Sequence, residues 1–128
     1  MLKIKIVEAG GAKVAVCENE DIVIKDGQSA LDFAINIGYE HDCYNIALNK
    51  AAITDDFFKL STGIAGEVVQ KFINYGYRLA IIGDFAGYTS KPLHDFIYEC
   101  NNGNHLYFVA SEDEAVRKLG GYENGYRL

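Results

Sequence analysis

The sequence has no C-x-x-C pair, no continuous apolar run of membrane-spanning length, no block of like charge and no surplus of basic residues. Each absence excludes a class of protein. The three cysteines, Cys17, Cys43 and Cys100, are odd in number and widely spaced, which supports neither a disulfide framework nor a zinc ribbon. Reduced thiols imply a cytoplasmic home. The opening Lys3-Ile4-Lys5-Ile6-Val7-Glu8 alternates charge with β-branched residues, so neither a signal peptide nor a membrane anchor is expected. Twelve Lys plus Arg against eighteen Asp plus Glu give a formal charge of −6 and a pI near 4.9. With the basic residues scattered, that balance disfavours nucleic acid and anionic membrane surfaces as partners.

What is present reads as one globular core. The 128 residues suit a single compact domain, and 49% hydrophobic with 23% charged residues is ordinary globular usage. Lys3 to Ala9 and Ala12 to Glu18 alternate polar and apolar residues on either side of Gly10-Gly11, a β-hairpin signal. Ala30, Leu31, Ala34 and Ile35 predict a first helix from about Gln28 to Ile37, opened by a Ser29/Asp32 capping box and ended near Gly38. Ile46-Ala47-Leu48 and Leu79-Ala80-Ile81-Ile82 are short, uniformly apolar runs, as expected of strands buried on both faces. Thr54-Asp55-Asp56 places a cap and two first-turn carboxylates at a helical start. A stripe of Ile64, Val68, Val69, Phe72 and Ile73 then continues to Tyr75 and closes at Gly76.

Thr89-Ser90-Lys91-Pro92 announces a third helix, which Asn101-Asn102-Gly103 stops. Leu106 to Val109 is the last strand, and Ser111-Glu112-Asp113-Glu114 opens a short final helix through about Leu119. The expected fold is therefore a single α/β domain over residues 1–119. It has a mixed, mostly parallel sheet, an N-terminal β-hairpin and about four helices with right-handed crossovers. The glycine-rich stretch 120–128 reads as a flexible C-terminal tail.

The run Ala51 to Glu67, followed by Leu79 to Phe85 and Tyr88 to Leu93, resembles the domain of unknown function 4180 family over nearly the whole chain. That resemblance implies no established activity. More distantly, the element order and the step Ser61-Thr62-Gly63-Ile64 resemble the STAS fold of anti-sigma factor antagonists. There a short strand leads to a helix whose first turn carries a regulatory serine ahead of a glycine. The resemblance implies Ser61 or Thr62 as a phosphorylation site, with Leu60 standing where those antagonists usually carry aspartate.

Two segments are candidates for binding. Ser61-Thr62-Gly63 could form an anion-binding or modified turn at a helix N-terminus, or could simply let the helix pack closely on the sheet. The loop from Gly83 to Lys91 follows a central strand, where open α/β sheets tend to bind ligands. Its Asp84, Tyr88, Thr89, Ser90 and Lys91 could hold a small anion or polar group, although the G-x-x-x-x-G-K pattern is absent. Asp55 and Asp56, adjacent on a turn, read as first-turn charges rather than a metal pair. His41, His94 and His105, assigned to a loop, a helix and the approach to a strand, do not pair at metal-ligand spacing. Cys17 and Cys100 read as core. Nine tyrosines and seven phenylalanines are many for this length, and Phe57, Phe58, Tyr75, Tyr77, Tyr88, Tyr98 and Tyr107 cannot all be fully buried.

No catalytic constellation emerges, and no cofactor or metal is implied. The favoured expectation is a non-catalytic binding or regulatory module, STAS-like in architecture. It would act through a protein partner or its own dimer, with Thr54 to Gly66 as the contact surface. The alternative is a small-molecule or anion sensor, or a small enzyme, using the loop Gly83–Lys91.

Overall fold

The computed structural model of the chain describes residues 1–120, and the expected tail beyond Gly120 lies outside them. Strand β1 (Lys3–Ala9) turns back through Gly10 and Gly11, at φ 58° and 84°, into β2 (Ala12–Glu18). Two consecutive positive φ values make the tight turn whose twist matches paired strands, and glycine adopts them without a Cβ penalty. Helix α1 (Gly27–His41) leads to β3 (Asn45–Asn49), and three 3-10 turns (Lys50–Ala52, Asp55–Phe58, Leu60–Thr62) lead to α2 (Ile64–Tyr75). Then follow β4 (Arg78–Ile82), α3 (Lys91–Asn101), β5 (Leu106–Val109) and α4 (Glu112–Leu119).

The five strands lie side by side in chain order, β1 antiparallel to β2 and every later pair parallel. Because the chain always advances in the same direction across the sheet, right-handed crossovers stack α1, α2 and α3 on one face. Strand periodicity then divides the apolar side chains between two layers. Ile46, Leu48, Leu79, Ile81, Leu106 and Phe108 meet the three-helix layer through Ala34, Ile37, Val68, Phe72 and Leu93. The intervening Ala47 and Ala80, with Val14, Tyr107 and Val109, meet Ala115 and Leu119 of α4. Small residues at the centre of that second face let a helix only eight residues long sit close to the sheet.

Arg78 ties the second face together. Its guanidinium donates to the Leu119 and Lys118 carbonyls at the end of α4, to Asn45 Oδ1, to the Asn104 carbonyl and to the Tyr107 hydroxyl. A cation on the last carbonyls of a helix satisfies orphan acceptors and complements the dipole. Arg78 is thus a structural staple, fully committed within the fold.

The first helix corrects two expectations. Its cap is Asp26, whose Oδ1 accepts from Ser29 N at 2.8 Å while Ser29 Oγ accepts from Asp26 N at 3.0 Å. The capping box is therefore Asp26/Ser29 rather than Ser29/Asp32. The helix also runs through Gly38 to His41, which makes His41 helical, and stops at Asp42 in the left-handed region, φ 51°. Gly38 serves close approach rather than termination, since a Cβ there would lie 2.6 Å from the Tyr77 hydroxyl oxygen. Among the aromatic residues expected to compete for burial, Phe57, Phe58, Tyr77 and Tyr107 are buried, Tyr88 is half-buried, and Tyr75 and Tyr98 are exposed. Gly120, assigned to the tail from sequence, is buried against Ala9 as the cap of α4. No helix among the described residues is long and apolar enough to cross a membrane.

Two glycine substitutions separate these roles. Gly38→Ala should lower stability to urea by about 1–3 kcal/mol, because Tyr77 is held between neighbouring rings and must shift. Gly66→Ala, on the exposed face of α2 with nothing within 4 Å of its would-be Cβ, should raise stability by about 0.5–1 kcal/mol.

Candidate functional site

At the carboxyl ends of the parallel strands, the loops after β3 and β4 meet over a group of aromatic rings. Thr54 starts the middle 3-10 turn, its Oγ1 accepting from Asp56 N, and the turn drives Phe57 and Phe58 into the core. Phe58 stacks on Tyr88 with centroids 5.1 Å apart and planes 16° apart, and touches Phe85 and Phe108 at 6.0 and 6.4 Å. Phe85 meets Phe108 edge-on at 5.2 Å. One cluster thus links the 3-10 segment, the loop after β4, and β5. Offset and edge-on pairs of this kind stabilise by about 0.5–1.5 kcal/mol each beyond burial.

Lys50 crowns the cluster. Its ammonium lies 4.8 Å from the Tyr88 ring centre, 5.8 Å from Phe58 and 5.9 Å from Phe85, and donates to the Asp84 carbonyl at 3.3 Å. Gly83 makes room for it, since a Cβ there would lie 2.7 Å from Lys50 Cβ. Attraction between the cation and the ring faces therefore holds the two loops in register.

Between those loops opens a cleft of about 740 Å³. Asp55, Phe58, Lys59, Leu60 and Ser61 form one wall, and Gly87, Tyr88, Thr89, Ser90, Pro92 and Leu93 the other. The fold thereby joins Ser61 to Tyr88, Thr89 and Ser90, residues the sequence offered as two separate candidates. Ser61 is exposed in the cleft wall. Tyr88 contributes its half-buried ring, and its carbonyl accepts from His94 Nε2, which fixes the imidazole tautomer. Ser90 Oγ also accepts from Leu93 N, capping α3.

The remaining candidates lie outside this cleft. Thr62 is turned into its own backbone, its hydroxyl donating toward the Asp56 and Lys59 carbonyls, both at 2.8 Å, and accepting from Ile64 N. Gly63 takes φ 79° as the residue preceding α2. Asp84 folds its carboxylate onto Ala86 N at 2.9 Å and borders two further depressions at the strand ends. Lys91 pairs with Asp95 at 2.7 Å, a bond that raises the lysine's pKa. Phe58 and Leu60 fall within the expected Thr54–Gly66 contact surface without being singled out, whereas Pro92 and Leu93, and Lys50 behind them, were not legible as site residues. Only the density of aromatic residues around residues 57–88 hinted at them.

No cysteine bonds to a histidine among the described residues. Burial, then Cys43 nearby, pushes the Cys17 thiol up to about 12, and burial, then Glu99, pushes Cys100 up to about 11. Neither is an activated nucleophile. No group of three or more His, Cys, Asp or Glu side chains able to hold a metal occurs among the described residues.

Fold and site together define a small single-domain α/β protein with an open cleft at the carboxyl ends of a parallel sheet. The chain belongs to the family described as Domain of unknown function (DUF4180), which matches it over residues 9–119. No curated protein matches it.

Lys50→Met, which keeps the apolar stem and removes the charge, should cost about 0.5–2 kcal/mol of stability and shift the Tyr88 ring resonances. Gly83→Ala should shift the same resonances by displacing the lysine stem. Iodoacetamide at pH 8 should label Cys17 and Cys100 at least about 100-fold more slowly in the native protein than in urea, because so little thiolate is present. Equal rates in the two states would contradict the burial of Cys17 and the partial burial of Cys100, which sits at the edge of the core rather than within it.

Proposed function

We propose that the chain is a non-catalytic binding module of STAS-like architecture that receives an extended segment of a protein partner in the cleft between Leu60–Ser61 and Gly87–Leu93. The observation that carries this reading is the composition of the cleft. An apolar floor of Phe58, Tyr88 and Leu93 is bordered by the hydroxyls of Ser61, Thr89 and Ser90. Apolar anchors beside a few hydrogen-bonding groups suit recognition of a side chain and its neighbouring backbone. Acid–base or nucleophilic work needs a nucleophile held by a base, and among the described residues the hydrogen bond of these hydroxyls is that of Ser90 Oγ, which accepts from Leu93 N. The exposure of Ser61 supports a regulatory role for that hydroxyl, since a phosphate there would place about two negative charges on the cleft wall.

A second reading, a small-molecule sensor, has one observation in its favour. The cleft's 740 Å³ falls within the range of ligand cavities, at the strand ends where open sheets bind ligands.

Panning a random peptide library against the wild-type chain and against Ser61→Trp, whose indole would fill the cleft, separates the readings. Enriched peptides should bind the wild type and bind the tryptophan variant at least about tenfold more weakly. Equal binding to both would place the contact elsewhere. Fragments that perturb Ser61 and Tyr88–Ser90 resonances, with no peptide enriched, would establish the sensor instead.

A further inference from the structure

The charges around the cleft narrow the chemistry of its occupant, on the reading that the cleft receives a protein segment. Lys59, on the cleft wall, is ion-paired with Asp56 at 3.6 Å, and Lys91, beyond the mouth, is paired with Asp95 at 2.7 Å. Lys50 is committed to three ring faces and the Asp84 carbonyl, and makes no ion pair. Asp55 is different. It is exposed, lines both the cleft and the neighbouring depression beside Asn49 and Lys50, and has no hydrogen-bond or ion-pair partner among the described residues. The two lysines that could have attracted an anion are thus neutralised, while a carboxylate is left open beside the Phe58–Tyr88 stack. The net charge of −6 adds a long-range field of the same sign.

We infer that the partner segment bears a lysine or arginine beside its apolar anchor, the cation meeting Asp55 while the anchor lies on Phe58, Tyr88 and Leu93. An exposed carboxylate paired across such a contact contributes modestly to affinity and more to the choice of partner. The same geometry disfavours an acidic segment, whose carboxylate would face Asp55 while Lys59 and Lys91 are already paired and Lys50 is held over the rings.

The test is a 1H–15N NMR titration with an acetylated, amidated Ala-Leu-Lys-Phe-Ala peptide and its versions carrying norleucine or glutamate in place of lysine. The lysine peptide should perturb the amides of Asp55, Phe58, Ser61 and Tyr88–Ser90, and bind about 2–5-fold more tightly than the norleucine version. The glutamate version should be weaker still. The lysine advantage should vanish in Asp55→Asn and shrink in about 0.5 M salt. Equal affinity of lysine and norleucine peptides at these residues would overturn the inference and leave the protein-binding module standing. Absence of cleft perturbation by every peptide would overturn both. An n-butylamine titration that matched the lysine peptide in affinity would replace a protein segment by a free amine.

Discussion

The order of strands governs everything else in this molecule. A parallel strand cannot be followed directly by its neighbour, so each step from β2 to β5 requires a crossover, and each crossover here advances the same way across the sheet. Three helices therefore share one face, and the last helix alone covers the other. Every connection that leaves the carboxyl end of a strand also emerges along one edge. That edge is where the 3-10 segment and the loop after β4 come face to face, so the cleft follows from the winding of the chain.

Packing then decides how firmly that edge is held. Phe57 and Phe58 anchor the 3-10 segment in the core, Phe85 and Tyr88 anchor the opposing loop, and Phe108 of β5 lies between them. Lys50 adds a cation over the rings, with Gly83 leaving space for its stem. The cleft floor is therefore continuous with the core, and a substitution at Lys50 or Gly83 acts on the binding surface through the rings. At the opposite end of the sheet, Arg78 has the corresponding task, joining β4 to the last turn of α4. Both cations lie over aromatic rings, Lys50 over Tyr88 and Arg78 over Tyr107, but only Arg78 also donates to helix-terminal carbonyls.

Much of the fold was legible where local chemistry and tertiary demand agree. The hairpin was announced by Gly10-Gly11, α2 by its apolar stripe and Gly76, and α3 by Ser90 and Pro92. The end of α1 was misread because Gly38 carries two possible meanings, helix termination and close approach. Only the position of Tyr77, far along the chain, selects the second. The cap of α1 was misplaced by three residues for a related reason. Asp26 and Asp32 offer the same carboxylate to Ser29, and the backbone geometry at Asp26 chooses between them. In the site, Ser61 and the Tyr88–Ser90 hydroxyls were visible as polar groups in turns, but nothing local joined them. Thr62 looked equivalent to Ser61 and is turned into its own turn by two carbonyls.

By itself the sequence determined the number and order of the strands and helices, the parallel character of the central sheet and the family. These depend on periodicity, capping and turn residues, which act over a few positions. Tertiary structure alone decided which hydroxyls share a cleft and that Asp55 stands open beside the Phe58–Tyr88 stack. Those properties depend on distances between residues some thirty positions apart, such as Asp55 and Tyr88. Only the closing of the crossovers over the sheet sets such distances.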